Sequence, residues 1–254
     1  HPLVCGNKWW KLKYNLIEAA QKNFKTLLTY GGAYSNHIFA TAAAASELGF
    51  KSIGVIRGEE VLPLNPTLAF ARSQGMELHY ISREAYRTKS MDYLERFDDF
   101  YFIPEGGSNA LAVRGVCEFA STLDVPYDYL CCAVGTGGTL SGLIEGVPAE
   151  KKIIGFPTLK GGEFLIEEIK KLSGKSNVLT NWELKSDFHF GGYAKSTPKL
   201  TQFIERFKTV HNVPLEFVYT GKLMSGIYSL ISSGFFPRGT TILAIHTGGL
   251  QVPK

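Results

Sequence analysis

Two lysines near the start of the sequence have a spacing that favours covalent chemistry with a carbonyl compound. Lys8 and Lys11 lie three residues apart at the front of a predicted helix that runs to about residue 23, so they are near neighbours on one face. The positive end of the helix and the second ammonium both disfavour protonation of Lys8. A lysine that loses its proton easily can attack a carbonyl carbon and form a Schiff base. For an isolated pair of lysines, a solvated basic first turn is the more common arrangement, so the rest of the chain must decide.

A glycine-rich segment further along the chain is suited to bind a phosphate. It joins a predicted apolar strand to a predicted short helix, where glycines let several backbone amides turn toward a ligand. The helix N-terminus adds partial positive charge. The segment lacks the Gly-Lys-Ser/Thr of a Walker loop and the third glycine of a dinucleotide fingerprint, so it predicts a smaller phosphorylated ligand. A glycine turn without a ligand is the alternative. The residues of the segment are Gly135, Thr136, Gly137, Gly138 and Thr139.

A third segment carries donors that suit a carboxylate. Ser35, Asn36 and His37 follow a glycine pair at the junction between a predicted strand and a predicted helix. A helix N-terminus flanked by hydroxyl and amide donors attracts an anion. Ordinary capping of the helix by Ser35 would explain the same residues without a ligand, and both interpretations stay open.

Composition argues against several kinds of partner. The chain has 254 residues, of which 44% are hydrophobic and 20% charged, enough for one large domain or two small ones. Its net charge of +4 is mild and its basic residues are scattered, so we expect no nucleic-acid partner. Because no apolar run approaches the roughly 20 residues of a membrane helix, we expect no membrane partner. The four cysteines and six histidines show no zinc-binding spacing, so we expect no metal site.

The elements that position these motifs alternate between strands and helices along the whole chain. This alternation predicts parallel sheets covered by helices on both faces, with ligands beyond the carboxyl ends of the strands. We expect one helix over residues 83–97 and a less regular region over 173–198. Cys131 and Cys132 are expected to be small buried apolar residues within a strand. The predicted strands cover residues 26–30, 51–57, 76–81, 100–103, 127–134, 153–156, 215–218 and 240–245.

Together the motifs resemble the pyridoxal-phosphate enzymes grouped as 1-aminocyclopropane-1-carboxylate deaminases and D-cysteine desulfhydrases. The resemblance extends from Gly6 to Leu250 and begins with the Gly-Asn-Lys segment around Lys8. It implies pyridoxal 5'-phosphate as cofactor and the tryptophan synthase β-like fold, an α/β class with two open parallel-sheet domains and the cofactor site between them. The small domain would span residues 22–117, and residues 1–21 and 118–254 would form the large domain.

The same resemblance implies roles for the residues of the first two thirds of the chain. Lys8 would hold the cofactor as a Schiff base and then serve as the base at the substrate's Cα, with Lys11 as a counter-charge to the phosphate on the 135–139 loop. The substrate carboxylate would lie on Ser35, Asn36 and the amide of His37, and the Asn36 side chain would meet the ring hydroxyl of the cofactor. Deaminase relatives typically have glutamine in place of His37, so this position favours the desulfhydrase side.

Two tyrosines and a threonine complete the implied site. Tyr219 would lie against the cofactor ring, Tyr193 would reach the active site beside it, and Thr220 would face the pyridine nitrogen. The implied catalytic set is Lys8, Ser35, Tyr193 and Tyr219. Deaminase relatives place a glutamate where this chain has Thr220, and a neutral group there makes the ring a weaker electron sink. A weak sink suits β-elimination, as in the conversion of D-cysteine to a 2-keto acid and ammonia.

Some residues depart from the family pattern or receive no role from it. Trp10 stands where many relatives have arginine, and the pair at 216–217 replaces the usual Asp-Pro. The segments 105–109 and 246–249 resemble family segments, but their glycines alone assign them no chemistry.

The main expectation is therefore a lyase or deaminase of a small amino acid, of the D-cysteine desulfhydrase type. Ring opening of 1-aminocyclopropane-1-carboxylate is the alternative reaction. A non-catalytic protein that binds a phosphorylated metabolite is the alternative of another class. We expect a cytoplasmic homodimer, and because the chain begins at His1 we expect its natural start to lie further upstream.

Overall fold

The described residues form two compact units. A computed structural model describes residues 1–88 and 91–250, and these divide into His1–Ala112 and Val113–Leu250. Within the described residues, each unit contains one four-stranded sheet in which all neighbouring strands are parallel. The predicted α/β class with two parallel sheets is thus confirmed. The first helix groups with the first compact unit, and the predicted domain boundaries at residues 22 and 117 stay a prediction.

The first unit has a sheet whose strand order differs from the chain order. The strands are β1 (Thr26–Gly32), β2 (Lys51–Arg57), β3 (Met76–Ile81) and β4 (Phe100–Ile103), in the order β3-β2-β1-β4. Because β4 pairs with β1, the end of the unit returns to the strand that precedes the Ser35 segment. The helices are α1 (Asn7–Gln21), α2 (Asn36–Leu48), α3 (Pro66–Ser73) and α4 (Arg83–Thr88).

The second unit repeats this plan with longer loops. Its strands are β5 (Tyr129–Val134), β6 (Lys152–Pro157), β7 (Trp182–Leu184) and β8 (Ile242–Ile245), in the order β7-β6-β5-β8. The helix α5 (Ala110–Ser121) precedes β5 along the chain. The remaining helices are α6 (Gly138–Gly146), α7 (Leu165–Leu172), α8 (Pro198–His211) and α9 (Thr220–Ser232).

Local sequence explains where the helix next to the Ser35 segment begins and ends. Ser35 is the N-cap of α2, and Gly49 ends this helix in the left-handed conformation with φ of 75°. In α1, Leu12 and Ala19 are fully buried in one core cluster, and Leu16 packs against it. In the second unit, β5 is buried throughout and both Cys131 and Cys132 lie in its core, as expected.

Two expectations about the elements were wrong. The expectation of one helix over 83–97 was wrong, because the structure shows an α-helix over Arg83–Thr88 and a different element after residue 90. A separate 3-10 turn covers Met91–Arg96, and residues 89 and 90 lie outside the described residues. Residues 215–218 form no strand, because the Glu216 side chain binds the amides that a strand would use. The region 173–198 is less regular, as expected: its elements are two 3-10 turns and the three-residue edge strand β7.

The described helices also bear on the question of a membrane. In the part of the chain that the structure describes, no helix combines the length and the apolarity needed to cross a bilayer.

Candidate active site

Lys8 is a half-buried residue at the start of α1. The residue follows the first residue of α1, and its amine donates a hydrogen bond to the carbonyl oxygen of Gly106 at 3.2 Å. Burial lowers the pKa of Lys8 from 10.5 to about 8, and the negative charge of Glu105 opposes this shift. Burial, rather than the expected repulsion by Lys11, is therefore the main cause of the lowered pKa. A lysine with this pKa supplies a substantial fraction of neutral, nucleophilic amine near neutral pH.

Lys11 is buried one turn further along α1. Lys11 is only 2% exposed, and its amine donates to the hydroxyl of Ser108 at 2.9 Å. Ser108 follows a short turn at Glu105–Gly107, directly after β4, in which Gly106 and Gly107 have φ of 67° and 69°. The turn at residues 105–108 thus accepts a hydrogen bond from each of the two lysines. Sequence reasoning had assigned this turn no chemistry.

A pair of asparagines connects α1 to the same turn. The Asn109 amide donates to the side-chain oxygen of Asn15 at 2.7 Å, and Asn15 in turn donates to the Lys11 carbonyl at 2.9 Å. The Asn109 oxygen also accepts the amide of Ala112 in the first turn of α5 at 2.9 Å. Because Asn15 is fully buried, these hydrogen bonds hold α1 in one position relative to the turn.

Ser35 both caps α2 and keeps a donor for a ligand. Its hydroxyl oxygen accepts the amides of His37 at 3.2 Å and Ile38 at 3.3 Å. Because those bonds use the lone pairs of the oxygen, the hydroxyl proton is left to donate to an anion. Asn36 is the first residue of α2, and both Ser35 and Asn36 are partly exposed. The predicted capping is confirmed, and the role of this segment in holding a carboxylate stays a prediction.

The ring of His37 is buried and neutral. Its Nε2 lies 2.9 Å from the hydroxyl of Thr29, which donates its own proton to the Ile103 carbonyl at 2.7 Å. Thr29 must therefore accept from His37, so the ring carries its proton on Nε2. Burial lowers the pKa of His37 well below 6.5, and the charges of Lys8 and Lys11 lower it further.

The ring of His37 also packs against the turn that receives the lysines. A Cβ atom on Gly107 would lie 3.1 Å from Cε1 of the ring and 3.5 Å from its Nδ1. Glycine is thus required at this position by both its positive φ and the adjacent ring. Only the amide of His37 had been given a role from the sequence, whereas its side chain connects α2 to the 105–108 turn.

The glycine loop lies between β5 and α6, as predicted. Gly137 is the N-cap of α6 with φ of 86°, and a Cβ atom there would lie 3.1 Å from Cγ1 of Ile169. A Cβ atom on Gly135 would lie 3.2 Å from the ring of Tyr219. At both positions a larger residue would require the neighbouring side chain or the loop to shift by a few tenths of an ångström. With a glycine as N-cap, the first amides of α6 are not covered by a capping side chain and suit a phosphate.

The carboxylate of Glu216 organises the turn before α9. Its oxygens accept the backbone amides of Val218, Tyr219 and Thr220 at 2.6, 2.7 and 2.7 Å. The hydroxyl of Thr220 accepts the Glu216 amide at 2.9 Å and lies 3.2 Å from the Glu216 carboxylate. Glu216 and Thr220 are both buried. The departure from Asp-Pro at 216–217, which had no explanation from sequence, thus keeps a carboxylate that fixes Tyr219 and Thr220.

Tyr193 and Tyr219 contact each other in the second unit. Their ring centroids are 6.1 Å apart at an interplanar angle of 69°, an edge-to-face arrangement. Because the Tyr219 ring also lies against Gly135, the two tyrosines and the glycine loop form one cluster.

The chain matches one protein-family model over nearly its whole length. The model is described as a pyridoxal-phosphate dependent enzyme, and it matches residues 4–248. The chain belongs to this family. Membership of this enzyme family argues against the alternative of a non-catalytic binding protein.

Known relatives of this pyridoxal-phosphate dependent enzyme carry two activities in their names. A putative 1-aminocyclopropane-1-carboxylate deaminase of Pyrococcus furiosus is 33% identical over 98% of this chain and 81% of its own length. A bifunctional D-cysteine desulfhydrase/1-aminocyclopropane-1-carboxylate deaminase, mitochondrial, of Arabidopsis thaliana is 29% identical over 97% of this chain and 69% of its own length. A crystal structure of an ACC deaminase homologue superposes with a TM-score of 0.80 at 32% identity, covering 97% of this chain and 81% of that one.

The residues of this pyridoxal-phosphate dependent enzyme fit its cofactor. Covalent attachment needs a lysine of which a fraction is neutral near physiological pH, and burial lowers the pKa of Lys8 to about 8. A phosphate needs a loop free of side chains at a helix N-terminus, which Gly135 and Gly137 provide. The first unit brings together Lys8, Lys11 and His37, and the second brings together Gly135, Tyr193, Tyr219 and Thr220.

Proposed function

We propose that this pyridoxal-phosphate dependent enzyme eliminates the β-substituent of a small amino acid, as a D-cysteine desulfhydrase does. The observation that carries the proposal is the half-buried Lys8, whose amine donates to the Gly106 carbonyl and has a lowered pKa, on the same face of α1 as the buried ammonium of Lys11. Overall, D-cysteine and water would give pyruvate, hydrogen sulfide and ammonia. The relative with both activities in its name supports a substrate of this class.

Each residue of the proposed site would have a distinct task. When bound, pyridoxal phosphate supplies an aldehyde carbon for covalent attachment and a conjugated ring that withdraws electrons from the substrate. Lys8 would hold the cofactor, and its freed amine would move the proton at the substrate's Cα. The loop of residues 135–139 would bind the phosphate, with Lys11 as a counter-charge. Ser35 and Asn36 would hold the carboxylate, and His37 would support this segment through its ring.

Tyr193 and Tyr219 would complete the site beside the cofactor ring. Their edge-to-face contact fixes the direction of both phenol groups, so that Tyr219 can cover the ring and Tyr193 can present its hydroxyl to the substrate. Both residues are partly exposed.

Thr220 favours elimination over ring opening. Its hydroxyl is neutral, and the nearby carboxylate of Glu216 is engaged by three backbone amides. A neutral partner at the pyridine nitrogen makes a weaker electron sink, which suffices when the leaving group departs soon after the Cα proton. Ring opening of 1-aminocyclopropane-1-carboxylate is the second candidate, because the Pyrococcus relative carries that name.

The first experiment tests the covalent site. We expect the purified protein to show a yellow absorption band that borohydride removes, and mass spectrometry of the reduced protein to find the added mass on Lys8. Lys8→Ala should lose the band and the added mass. An adduct on a different lysine, or a turnover by Lys8→Ala equal to that of the unchanged enzyme, would show that the assignment is wrong.

The second experiment tests the reaction. Pyruvate and 2-oxobutanoate release are compared for D-cysteine, L-cysteine and 1-aminocyclopropane-1-carboxylate, with the unchanged enzyme and with Thr220→Glu. We expect D-cysteine to be the best substrate and Thr220→Glu to shift the ratio of kcat/KM values toward ring opening. Thr220→Ser, which keeps a neutral hydroxyl, is the matched control. An unchanged ratio of kcat/KM values in Thr220→Glu would show that the group at position 220 does not determine the choice between elimination and ring opening.

We also propose a homodimeric, cytoplasmic enzyme, on the basis of the family resemblance. Light scattering on the purified protein would show a mass of twice the 28.0 kDa chain if the dimer forms. A single-chain mass at micromolar concentration would contradict this proposal.

A further inference from the structure

Lys222 is a fully buried lysine that the proposed chemistry does not use. It lies in the first turn of α9, three residues after Tyr219, and none of its surface is exposed. Its amine donates to the carbonyl oxygens of Gly192 at 2.6 Å and Thr158 at 3.3 Å. Because removing an ammonium from water is costly unless its donors are engaged, these hydrogen bonds are what keeps the buried charge tolerable.

One of its acceptors belongs to a strained turn. Phe190, Gly191, Gly192 and Ala194 have φ of 50°, 93°, 113° and 54°, so four of five consecutive residues are in the left-handed region. The two non-glycine residues among them adopt a conformation that L-amino acids rarely keep unless their surroundings hold it. The fifth residue of this turn is Tyr193.

The Gly192 carbonyl connects the turn to α9 by a hydrogen bond. It accepts the amide of Lys195 at 3.1 Å within the turn and the ammonium of Lys222 from α9. A charged donor makes the stronger of these two kinds of hydrogen bond. The carbonyl next to Tyr193 is therefore fixed from the helix that begins directly after Tyr219.

The second acceptor connects Lys222 to the glycine loop. Thr158 donates its amide to the Val134 carbonyl at 3.0 Å, and Val134 directly precedes Gly135. The ammonium thus lies at the junction of three segments, which carry Tyr193, Tyr219 and the phosphate loop.

We propose that Lys222 is the positioning residue for Tyr193: its buried ammonium holds the strained 190–194 turn so that the Tyr193 ring stays against Tyr219. This inference rests on the proposed function only for the effect on turnover. The position of the Tyr193 ring can be measured without turnover. The positioning role of Lys222 and the proposed function can therefore fail independently of each other.

The test combines two measurements on the holoenzyme. Lys222→Met removes the ammonium at nearly constant volume, and Lys199→Met removes an exposed lysine of α8 as the matched control. If Lys222→Met does not fold, Lys222→Gln is used, since its neutral amide can still donate to one carbonyl. Folding of each variant is checked by circular dichroism and thermal melting.

The first measurement follows the Tyr193 ring. Tyrosines are replaced by 3-fluorotyrosine, and the ¹⁹F resonance that disappears in Tyr193→Phe is assigned to residue 193. We expect this resonance to shift or broaden in the Lys222 variant and to stay unchanged in Lys199→Met. An unchanged resonance in a folded Lys222 variant overturns the proposal whatever the activity.

The second measurement is a double-mutant cycle on kcat between Lys222 and Tyr193. We expect Lys222→Met to lower kcat at least tenfold in the enzyme with Tyr193, and less than twofold in the Tyr193→Phe background. Equal effects in both backgrounds would show that Lys222 does not act through Tyr193. If the ¹⁹F signal moves but the unchanged enzyme has no turnover and no adduct on Lys8, the proposed function fails and the positioning role of Lys222 stands.

Discussion

The amine of Lys8 donates to the carbonyl oxygen of Gly106 at 3.2 Å, although 98 residues separate them. This contact exists because β4 pairs with β1, which places the turn after β4 beside the start of α1. The same turn carries Glu105, whose negative charge raises the pKa of Lys8 against the larger effect of burial. The reactivity of the proposed cofactor lysine is therefore set by a segment far away in sequence.

We predict that adduct formation at Lys8 rises with pH with a midpoint near its pKa of about 8, well below the 10.5 of an ordinary lysine. Glu105→Gln should lower the midpoint by roughly one pH unit, because an opposite charge no longer favours the protonated amine. The measurement is the initial rate of yellow-band formation from apoenzyme and pyridoxal phosphate across pH.

Tyr86→Phe is the matched control for that experiment. The Tyr86 hydroxyl donates to the Glu105 carboxylate at 2.7 Å. Tyr86→Phe removes this hydrogen bond but leaves the negative charge of Glu105 in place. We expect its midpoint to stay closer to that of the unchanged enzyme than the Glu105→Gln midpoint does. A midpoint that rises in Glu105→Gln would contradict the electrostatic explanation.

The sequence predicted the elements better than the contacts between them. Ser35 and Gly49 determine the ends of α2 by local chemistry, and both could be identified from residue type alone. The contact between Lys8 and the 105–108 turn depends instead on the non-sequential strand order β3-β2-β1-β4, which local patterns do not encode. A Pro-Glu-Gly-Gly run directly after a predicted strand was the available signal for this turn.

We predict that Thr29→Val destabilises the first unit by about 1–3 kcal/mol, since the buried Nε2–H of His37 would lose its acceptor. Thr29→Ser keeps the hydroxyl and should recover most of the loss. Unfolding in urea measures both variants. Equal losses in the two variants would mean that the methyl group, and not the hydrogen bond, stabilises this position.

We predict that the free energy of unfolding falls as the pH drops below about 6.5, and that His37 contributes to this fall. The pKa of His37 is well below 6.5 in the folded protein, so in this range the unfolded chain binds a proton that the folded chain does not. His37 thus contributes stability above its unfolded pKa and loses it as the pH falls. His37→Gln, which cannot titrate, should flatten the pH dependence between 5 and 6.5; an unchanged slope would assign it to other groups.

We predict that Glu216→Gln lowers the unfolding free energy by roughly 2–4 kcal/mol and weakens cofactor binding. The carbonyl oxygen of glutamine can accept two of the three amides that the carboxylate binds, but its NH2 group cannot accept, so at least one of the amides of Val218, Tyr219 and Thr220 loses its acceptor. Glu216→Asp combined with Phe217→Pro restores the Asp-Pro of the family pattern and serves as the control. A cofactor affinity in Glu216→Gln equal to that of the unchanged enzyme would limit Glu216 to a role in stability.

Glu216 also shows what a sequence pattern cannot indicate. The apolar character of residues 215–218 favoured a strand, yet the carboxylate of Glu216 turns the chain back on itself by binding amides two to four residues ahead. Competition between a side chain and the backbone for the same amides is a local event, but its outcome depends on burial, which becomes known only from the fold.

We predict that Gly135→Ala weakens pyridoxal phosphate binding at least tenfold while the protein stays folded. The new Cβ atom would lie 3.2 Å from Cε1 of Tyr219 and 3.5 Å from its hydroxyl, so the ring or the loop must shift by a few tenths of an ångström. A loop whose amides must converge on one phosphate tolerates such a shift poorly, because each amide has a fixed direction.

The source of that effect can be separated by a second substitution. Tyr219→Leu removes the ring that the new Cβ atom would meet, so the affinity loss caused by Gly135→Ala should be smaller in the Tyr219→Leu background. Equilibrium titration with pyridoxal phosphate and with unphosphorylated pyridoxal distinguishes the loop from the ring. A defect in the loop weakens the phosphorylated ligand more, whereas a displaced Tyr219 ring weakens both ligands alike. Equal weakening of both would therefore assign the effect to Tyr219 and place the phosphate away from Gly135.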